Sequence, residues 1–255
     1  MKRIILSAIM MGICAISAIA QETRETQETK ERNFKGFNVA VQGGLLYSMN
    51  ENSWTYYNDD KSKLPDGELK ASRDKLGYGM KDLFTPHASL TVGYDFGHAF
   101  GVRAQANFAN NASAGNHNEQ SAGGFYPYSF NSLSLFGDLV FNISGFIAPE
   151  KQHLFETKIY AGAGMGKGLK ADTQYLPDHT DGGEKYDIIL TNTFGFRAGL
   201  IEELYINKHL GAFIDVNLEA YTDQFNGFVS IDNEVDESFP YDLRVVGSLG
   251  LVYHF

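Results

Sequence analysis

The chain has 255 residues, of which 21 are basic and 31 are acidic, so its formal net charge is −10. This acidity argues against nucleic acid as a partner. The only cysteine, Cys14, lies in the apolar N-terminal run, so disulfide and thiol chemistry is excluded for the rest of the chain. After that run, no stretch of about eighteen residues is apolar enough for a helical membrane span.

The N-terminus has the pattern of a targeting segment. Met1, Lys2 and Arg3 form a basic start, an apolar run covers 4–19, and small residues precede Gln21. This pattern predicts a secretory signal peptide over 1–20. Residues 21–34 are polar and repetitive, which predicts a disordered lead-in on the periplasmic side before a single domain over 35–255.

The domain shows period-two alternation of apolar and polar residues, which predicts β-strands. The predicted strands cover about 35–49, 84–96, 100–108, 128–144, 154–166, 188–201, 209–221 and 241–255. Long polar segments at 50–83, 109–127, 167–187 and 222–240 alternate with short turns at 97–99, around 149–151 and at 202–208. Eight strands with long loops at one end and short turns at the other are typical of outer-membrane barrels.

The final strand has the strongest pattern. One face carries Phe255, Tyr253, Leu251 and Leu249, whereas the other is mixed and carries Asp242 and Arg244. The chain ends on the aromatic residue without a polar tail.

At these residues the chain resembles the outer-membrane β-barrel family, in which a terminal Phe after alternating hydrophobic residues is read by the barrel assembly machinery. The resemblance implies that Phe255, Tyr253, Leu251 and Leu249 form an assembly signal. Over about 35–255 it is similar to the small eight-stranded members, such as the OmpA membrane domain and OmpX. We expect no peptidoglycan-binding domain after Phe255, which argues against a role in anchoring the cell wall.

The predicted fold class is therefore all-β, an eight-stranded antiparallel up-and-down transmembrane β-barrel. The alternative is a soluble eight-stranded barrel of the lipocalin type, in which the apolar faces would line a ligand cavity. Alternation by itself does not distinguish the two, but the connection lengths and the terminal Phe favour the membrane barrel.

Asp138 identifies the inner face of its strand, because lipid would penalise a carboxylate in mid-strand. The same parity predicts a set of inward charges, of which Asp95 and Asp242 lie near strand ends. The proposed lumen network consists of Arg103, Asp138, Glu156, Lys158, Arg197, Asp215, Glu219 and Arg244. A barrel of this size is just wide enough for side chains to fill it, so we expect an ion-pair plug; a narrow ion path is the alternative. Gly162, Gly164 and Gly166 would leave room for large inward side chains opposite them, or permit strong curvature of the strand.

Other candidate chemistry is weak, so we expect no enzyme, no cofactor and no metal site. His87 and Ser89 slightly resemble the His-x-Ser pair of the lipid A deacylase barrels, but no suitably placed Glu follows. Asp178, His179 and Asp181, and the acidic residues of 232–237, could bind a divalent cation, although solvated acidic loops are the commoner explanation.

These patterns predict an integral outer-membrane protein of a Gram-negative bacterium with both termini in the periplasm. Its expected role is structural, adhesive or in recognition through the four long loops. The expected partners are outer-membrane lipid and lipopolysaccharide, the barrel assembly machinery and an extracellular ligand bound by the loops. The alternatives are a small-solute channel and, less favoured, a lipid-modifying hydrolase.

Overall fold

The computed structural model describes residues 35–49, 84–116, 125–149, 153–172, 192–222, 225 and 241–255. These residues form eight strands and one short helix. In chain order they are β1 (Gly36–Met49), β2 (Phe84–Asp95), β3 (Phe100–Asn116), β4 (Phe125–Asn142), α1 (Ile143–Ile147), β5 (Phe155–Asp172), β6 (Asn192–Tyr205), β7 (Leu210–Thr222) and β8 (Tyr241–His254).

Each strand pairs antiparallel with the next, and β8 pairs with β1, so the sheet is a closed up-and-down barrel. The predicted fold class is confirmed in strand number, direction and closure. Following the paired residues from Gly36 around all eight strands returns to β1 at Leu46, ten residues beyond the start. This stagger over eight strands corresponds to a strand tilt of roughly 40° from the barrel axis.

The inner face of the barrel is polar and the outer face is apolar. On β2, for example, Thr85, His87 and Thr91 are buried, whereas Leu90 and Val92 are 50% and 46% exposed. A soluble barrel of the lipocalin type would bury the apolar face instead. The alternative interpretation as a soluble barrel is therefore wrong.

Aromatic side chains mark both edges of the apolar outer surface. Pairs at the end where the short turns lie, which we call the inner end, are Phe37–Tyr94 (4.8 Å between ring centroids), Phe100–Phe141 (5.2 Å) and Tyr253–Phe255 (5.0 Å). At the opposite, outer end, Tyr47 packs on Phe84 at 5.1 Å. On both β1 and β2 the two aromatic levels are ten residues apart, which at this tilt is a height of roughly 25 Å. Aromatic girdles this far apart are typical of membrane barrels.

Three strands are longer than the sequence predicted. β3, β4 and β5 continue through 109–116, 125–127 and 167–172, which were predicted as loops. The polar residues there suggested loops, but some of them face the polar lumen; Asn111, for example, is 1% exposed and donates a hydrogen bond to Ser132. β6 also continues to Tyr205, so the predicted turn over 202–208 is wrong in its first half.

A short helix, α1, follows β4 where the sequence predicted the end of a strand. Asn142 caps it by accepting a hydrogen bond from the N–H of Gly145 at 3.0 Å. A side chain at Gly145 would collide with the carbonyl of His98, so the turn between β2 and β3 packs against this helix. In the part of the chain that the structure describes, no helix is long and apolar enough to cross a membrane.

The short connections after β2, β4 and β6 all lie at the inner end. The first residue of β1 and the last residue of β8 lie there too. The predicted signal peptide and lead-in over 1–34 lie outside the described residues and stay predictions. So do the loop 50–83 and most of the other three long connections.

Candidate functional site in the barrel lumen

The structure places all eight residues of the lumen network inside the barrel, each at most 8% exposed. The positions follow from parity, since alternate residues of one strand share a face. Of the two further inward charges, Asp95 is half-buried at the inner end and accepts a hydrogen bond from Asn38, and Asp242 is buried near the outer end. The network has three parts, described here from the centre outward.

At the centre, Asp138 is held between two guanidinium groups. Arg103 Nε donates to its Oδ2 at 2.5 Å, while Arg197 donates to Oδ1 from Nε at 2.8 Å and to Oδ2 from Nη2 at 2.5 Å. The Asp138 side chain has no exposed surface. One carboxylate therefore balances part of the charge of two arginines on β3 and β6.

A second carboxylate and an aromatic ring complete the central cluster. Asp215 Oδ2 lies 3.5 Å from Arg103 Nη1, and its Oδ1 accepts a hydrogen bond from the Tyr160 hydroxyl at 2.7 Å. The Arg103 guanidinium also lies 3.6 Å from the centroid of the Tyr160 ring. These contacts fix Arg103 from β4, β5 and β7 at once.

Toward the outer end, Arg244 and Glu219 form an ion pair across β8 and β7. Arg244 Nε donates to Glu219 Oε2 at 3.1 Å, and its Nη1 donates to Asn111 Oδ1 at 2.8 Å. The Tyr221 hydroxyl donates to the same Glu219 oxygen at 3.0 Å and is also contacted by Arg244. This cluster joins β3, β7 and β8 across the lumen.

Next to this cluster, toward the outer end, lies a group of aromatic side chains that we call the aromatic cap. It is formed by Phe130, Phe136, Tyr221 and Phe225. Phe225 comes from the connection after β7, is 1% exposed and stacks on Tyr221 at 4.0 Å between centroids. The Arg244 guanidinium lies 4.5 Å from the Tyr221 ring and 4.9 Å from that of Phe225. A loop residue thus covers the outermost ion pair from outside.

At the inner end, a third cluster surrounds Lys158 and includes residues that the sequence analysis missed. Lys158 Nζ lies 2.5 Å from Glu203 and 3.5 Å from Glu156. Glu203 also contacts His254 Nε2 at 2.7 Å, and the Tyr205 hydroxyl donates to Glu156 at 3.0 Å. Glu203 and Tyr205 were missed because 202–208 was predicted as a turn, although both continue the inward parity of Arg197.

The glycines of β5 have the role that their spacing predicted. A side chain at Gly162 would meet Asp138, one at Gly164 would meet Phe136, and one at Gly166 would meet Tyr221 and Phe225. Between Gly162 and Gly166 the inner surface of β5 is therefore flat, and large side chains from other strands lie against it.

Within the described residues, no group of three or more His, Cys, Asp or Glu could hold a metal ion. The candidate cation sites at 178–181 and 232–237 lie outside those residues. The Ser89 hydroxyl accepts from Gln105 at 3.1 Å, and the His87 ring faces Ser248 at 3.4 Å, so each of the two residues has a different partner.

The four residues of the predicted assembly signal lie on the outer surface of β8. Leu249, Leu251, Tyr253 and Phe255 are 67%, 50%, 45% and 66% exposed. The N–H of Phe255 donates to the carbonyl of Phe37 at 3.0 Å, so the last residue is tied to β1. Their role as a signal stays a prediction.

No family model and no curated protein matches this sequence. Solved structures of small barrels do match it. The outer membrane protein OprG of Pseudomonas aeruginosa has 13% identity and a TM-score of 0.47 over 89% of this chain and 99% of that one. Neisserial surface protein A has 8% identity and a TM-score of 0.41 over 86% and 97%. Ail of Yersinia pestis, in complex with the heparin analogue sucrose octasulfate, has 14% identity and a TM-score of 0.36 over 88% and 100%.

The chain is a closed eight-stranded antiparallel β-barrel, similar to the solved structures of small outer-membrane barrels.

Proposed function

We propose that this chain is an integral outer-membrane protein of a Gram-negative bacterium, with a lumen closed to solutes. Its role is structural, adhesive or in recognition, through the long connections at the outer end. The observation that carries the proposal is the distribution of polarity. Charged residues fill the inside of the barrel, whereas an apolar band of roughly 25 Å between two aromatic girdles covers the outside.

The apolar band favours a lipid environment over water. Leu139, Leu249 and Leu135 are 72%, 67% and 60% exposed, and all three lie within strands. An apolar surface that encircles the barrel would be a strong aggregation liability in water. Closure of the sheet between β1 and β8 also leaves no strand edge, as the hydrocarbon region of a bilayer requires.

The proposed orientation places both ends of the domain in the periplasm. In outer-membrane barrels the short turns are periplasmic and the longer loops are extracellular. Here β1 begins and β8 ends at the inner end with the short turns, and the longest connection, between Met49 and Phe84, is at the outer end. Lipopolysaccharide would then surround the outer girdle, and an extracellular ligand would meet the long connections.

The three ion-pair clusters and the aromatic cap support a closed lumen. Their contacts cross the barrel from β3 to β7 in the central cluster, from β8 to β3 in the outer cluster and from β6 to β8 in the inner cluster. Buried ion pairs that are this well hydrogen-bonded are costly to break singly, so a transient opening wide enough for a hydrated ion should be rare.

The purified, refolded protein is therefore expected to show no stable conductance in planar bilayers, because side chains fill the lumen of an eight-stranded barrel. The measurement is single-channel recording at low and high salt, with the same detergent without protein as the control. A reproducible open level would replace the closed barrel with the small-solute channel as the proposed function. Analysis of lipid A by mass spectrometry before and after expression tests the hydrolase alternative.

A second experiment tests whether the end of β8 is an assembly signal. Phe255→Ala is expected to destabilise the refolded barrel by only about 1.5–3 kcal/mol, since it removes one girdle side chain. Delivery to the outer membrane in cells should fall far more than this loss explains. Membrane fractionation and refolding in detergent measure the two effects separately.

The matched control is Phe37→Ala, which removes a neighbouring girdle aromatic that is 59% exposed and leaves β8 intact. It should lower stability to a similar degree with little effect on delivery. Unchanged outer-membrane levels of the Phe255→Ala protein would show that Phe255 is a girdle residue only.

A further inference from the structure

The lumen is not equally filled along its length. At the inner end a cavity offers about 50 Å³ to the centres of water molecules. Its lining runs from Asn38 and Asp95 at the mouth to Gln42, Thr91 and Arg103 near mid-barrel. We call this space the inner chamber. All eight strands contribute to its lining, which includes the network residues Arg103 and Lys158.

Three deeply buried polar side chains that line the inner chamber have atoms without a protein partner in the described part of the chain. Both amide atoms of Gln42, the hydroxyl of Thr91 and Nη2 of Arg103 have no hydrogen bond to protein there. These residues are 7%, 5% and 8% exposed. The group contains both donors and acceptors, which is the combination that water satisfies best.

The size of the inner chamber agrees with this chemistry. Each water molecule needs about 10–15 Å³ of space for its centre, so the inner chamber has room for roughly three to five water molecules. Buried polar groups are nearly always satisfied by protein or by ordered water. The chamber is thus both polar enough and large enough to be hydrated.

From Gln42 along β1 toward the outer end, the inner surface of the barrel changes from polar to apolar. Leu46, Ala109 and Val246 form a buried cluster with at most 1% exposure, which we call the apolar constriction. Leu46 and Val246 are register partners, and Leu46 lies four residues beyond Gln42, about 13 Å along β1. Beyond the constriction, the Ser48 hydroxyl again lacks a described protein partner.

We propose that the inner chamber is a water-filled space open to the periplasmic side, and that the apolar constriction is the barrier that stops water and protons there. Narrow apolar segments exclude water because it can make no hydrogen bonds inside them. This inference rests on the proposed function, since a barrier has meaning only if the barrel crosses a membrane.

The test is to add a hydroxyl to the constriction without changing its shape. Val246→Thr is nearly isosteric, and in proteoliposomes it should raise the passive proton leak and the osmotic water permeability roughly fivefold, the factor expected from one added hydrogen bond to a passing water. Leu46→Asn is a second variant with the same expected direction. Proton leak is followed with an entrapped pH-sensitive dye, and water permeability by stopped-flow light scattering.

Val252→Thr is the matched control, because it makes the same substitution on the same strand and face. Val252 lines the inner chamber rather than the constriction and is 6% exposed, so this variant should leave both rates unchanged. Gel mobility confirms that each variant is folded before it is measured.

Unchanged rates in both Val246→Thr and Leu46→Asn, or an equal rise in Val252→Thr, would overturn the inference. Neither result would affect the closed-lumen proposal, which fails only if the wild-type protein gives stable ion currents.

Discussion

Replacing Asp138 by alanine is expected to lower the free energy of unfolding by about 3–5 kcal/mol, the cost of leaving a buried charge without its partner. Two guanidiniums, those of Arg103 and Arg197, donate three hydrogen bonds to this carboxylate, and neither has another carboxylate as close. The measurement is a urea titration of the barrel in lipid vesicles, with the folded fraction read by gel mobility.

Asp95→Ala is the control for this substitution, because Asp95 is half-buried at the inner mouth and accepts one hydrogen bond, from Asn38. Its removal should cost about 1 kcal/mol or less. An Asp138→Ala barrel as stable as the wild type would mean that the central cluster is hydrated well enough to tolerate two arginines without their nearest carboxylate. The structural basis for a closed lumen would then be lost.

Leu135→Arg is expected to destabilise the barrel by about 2–4 kcal/mol, the cost of a charge that faces lipid near the bilayer midplane. Leu135 is 60% exposed and lies six residues from Phe141 in the inner girdle and four from Asn131. Asn131 accepts a hydrogen bond from Asn110 on the outer surface and marks the other edge of the apolar band. The same vesicle titration measures the loss.

The control is Leu139→Arg, at a position closer to the edge of the apolar band. Leu139 is even more exposed than Leu135, at 72%, but lies only two residues from Phe141. Leu139→Arg should therefore cost clearly less than Leu135→Arg, because the penalty falls toward the interface. Equal costs at the two positions, or a negligible cost at both, would contradict the assignment of this surface to lipid.

Much of the fold could be predicted because one physical constraint acts on every strand. A membrane barrel needs polar residues inside and apolar residues outside, so a single carboxylate such as Asp138 fixes the parity of its strand. The same parity correctly predicted that the eight network residues face the lumen. It also predicted that Gly162, Gly164 and Gly166 lie on the inner face. The partners within the network could not be predicted, because they depend on the register between strands.

The errors in strand length have the same physical cause. Polar residues at 109–116 and 167–172 looked like loops, since a one-dimensional pattern does not distinguish a polar lumen from water. Glu202 and Glu203 looked like a turn for a similar reason. In the structure, Thr157 donates to Glu202 on the outer surface, while Glu203 faces Lys158 in the lumen.

Two features had no signal that sequence reasoning could have used. Phe225 follows β7 in a polar segment, and its place in the aromatic cap depends on its contact with the Phe130 ring of β4. The helix α1 replaces the predicted end of β4 because Asn142 caps it and because the position of Gly145 beside His98 leaves no room for a side chain. Both depend on contacts between segments that are distant in the sequence.

The pairing of β1 with β8 sets the order of events when the chain folds. Asn38 lies opposite His254, so the contacts that complete the cylinder join the first and last strands of the domain. Such non-local contacts make folding slow, because the entropy of closing the longest loop must be lost before the contacts form. Until then the apolar faces and two unpaired edges are exposed to aggregation. Closure in the wrong register by one residue would also turn the ionised side chains of one strand toward lipid. The pairing of β1 with β8 is therefore stable only when the strands between them are in the correct register.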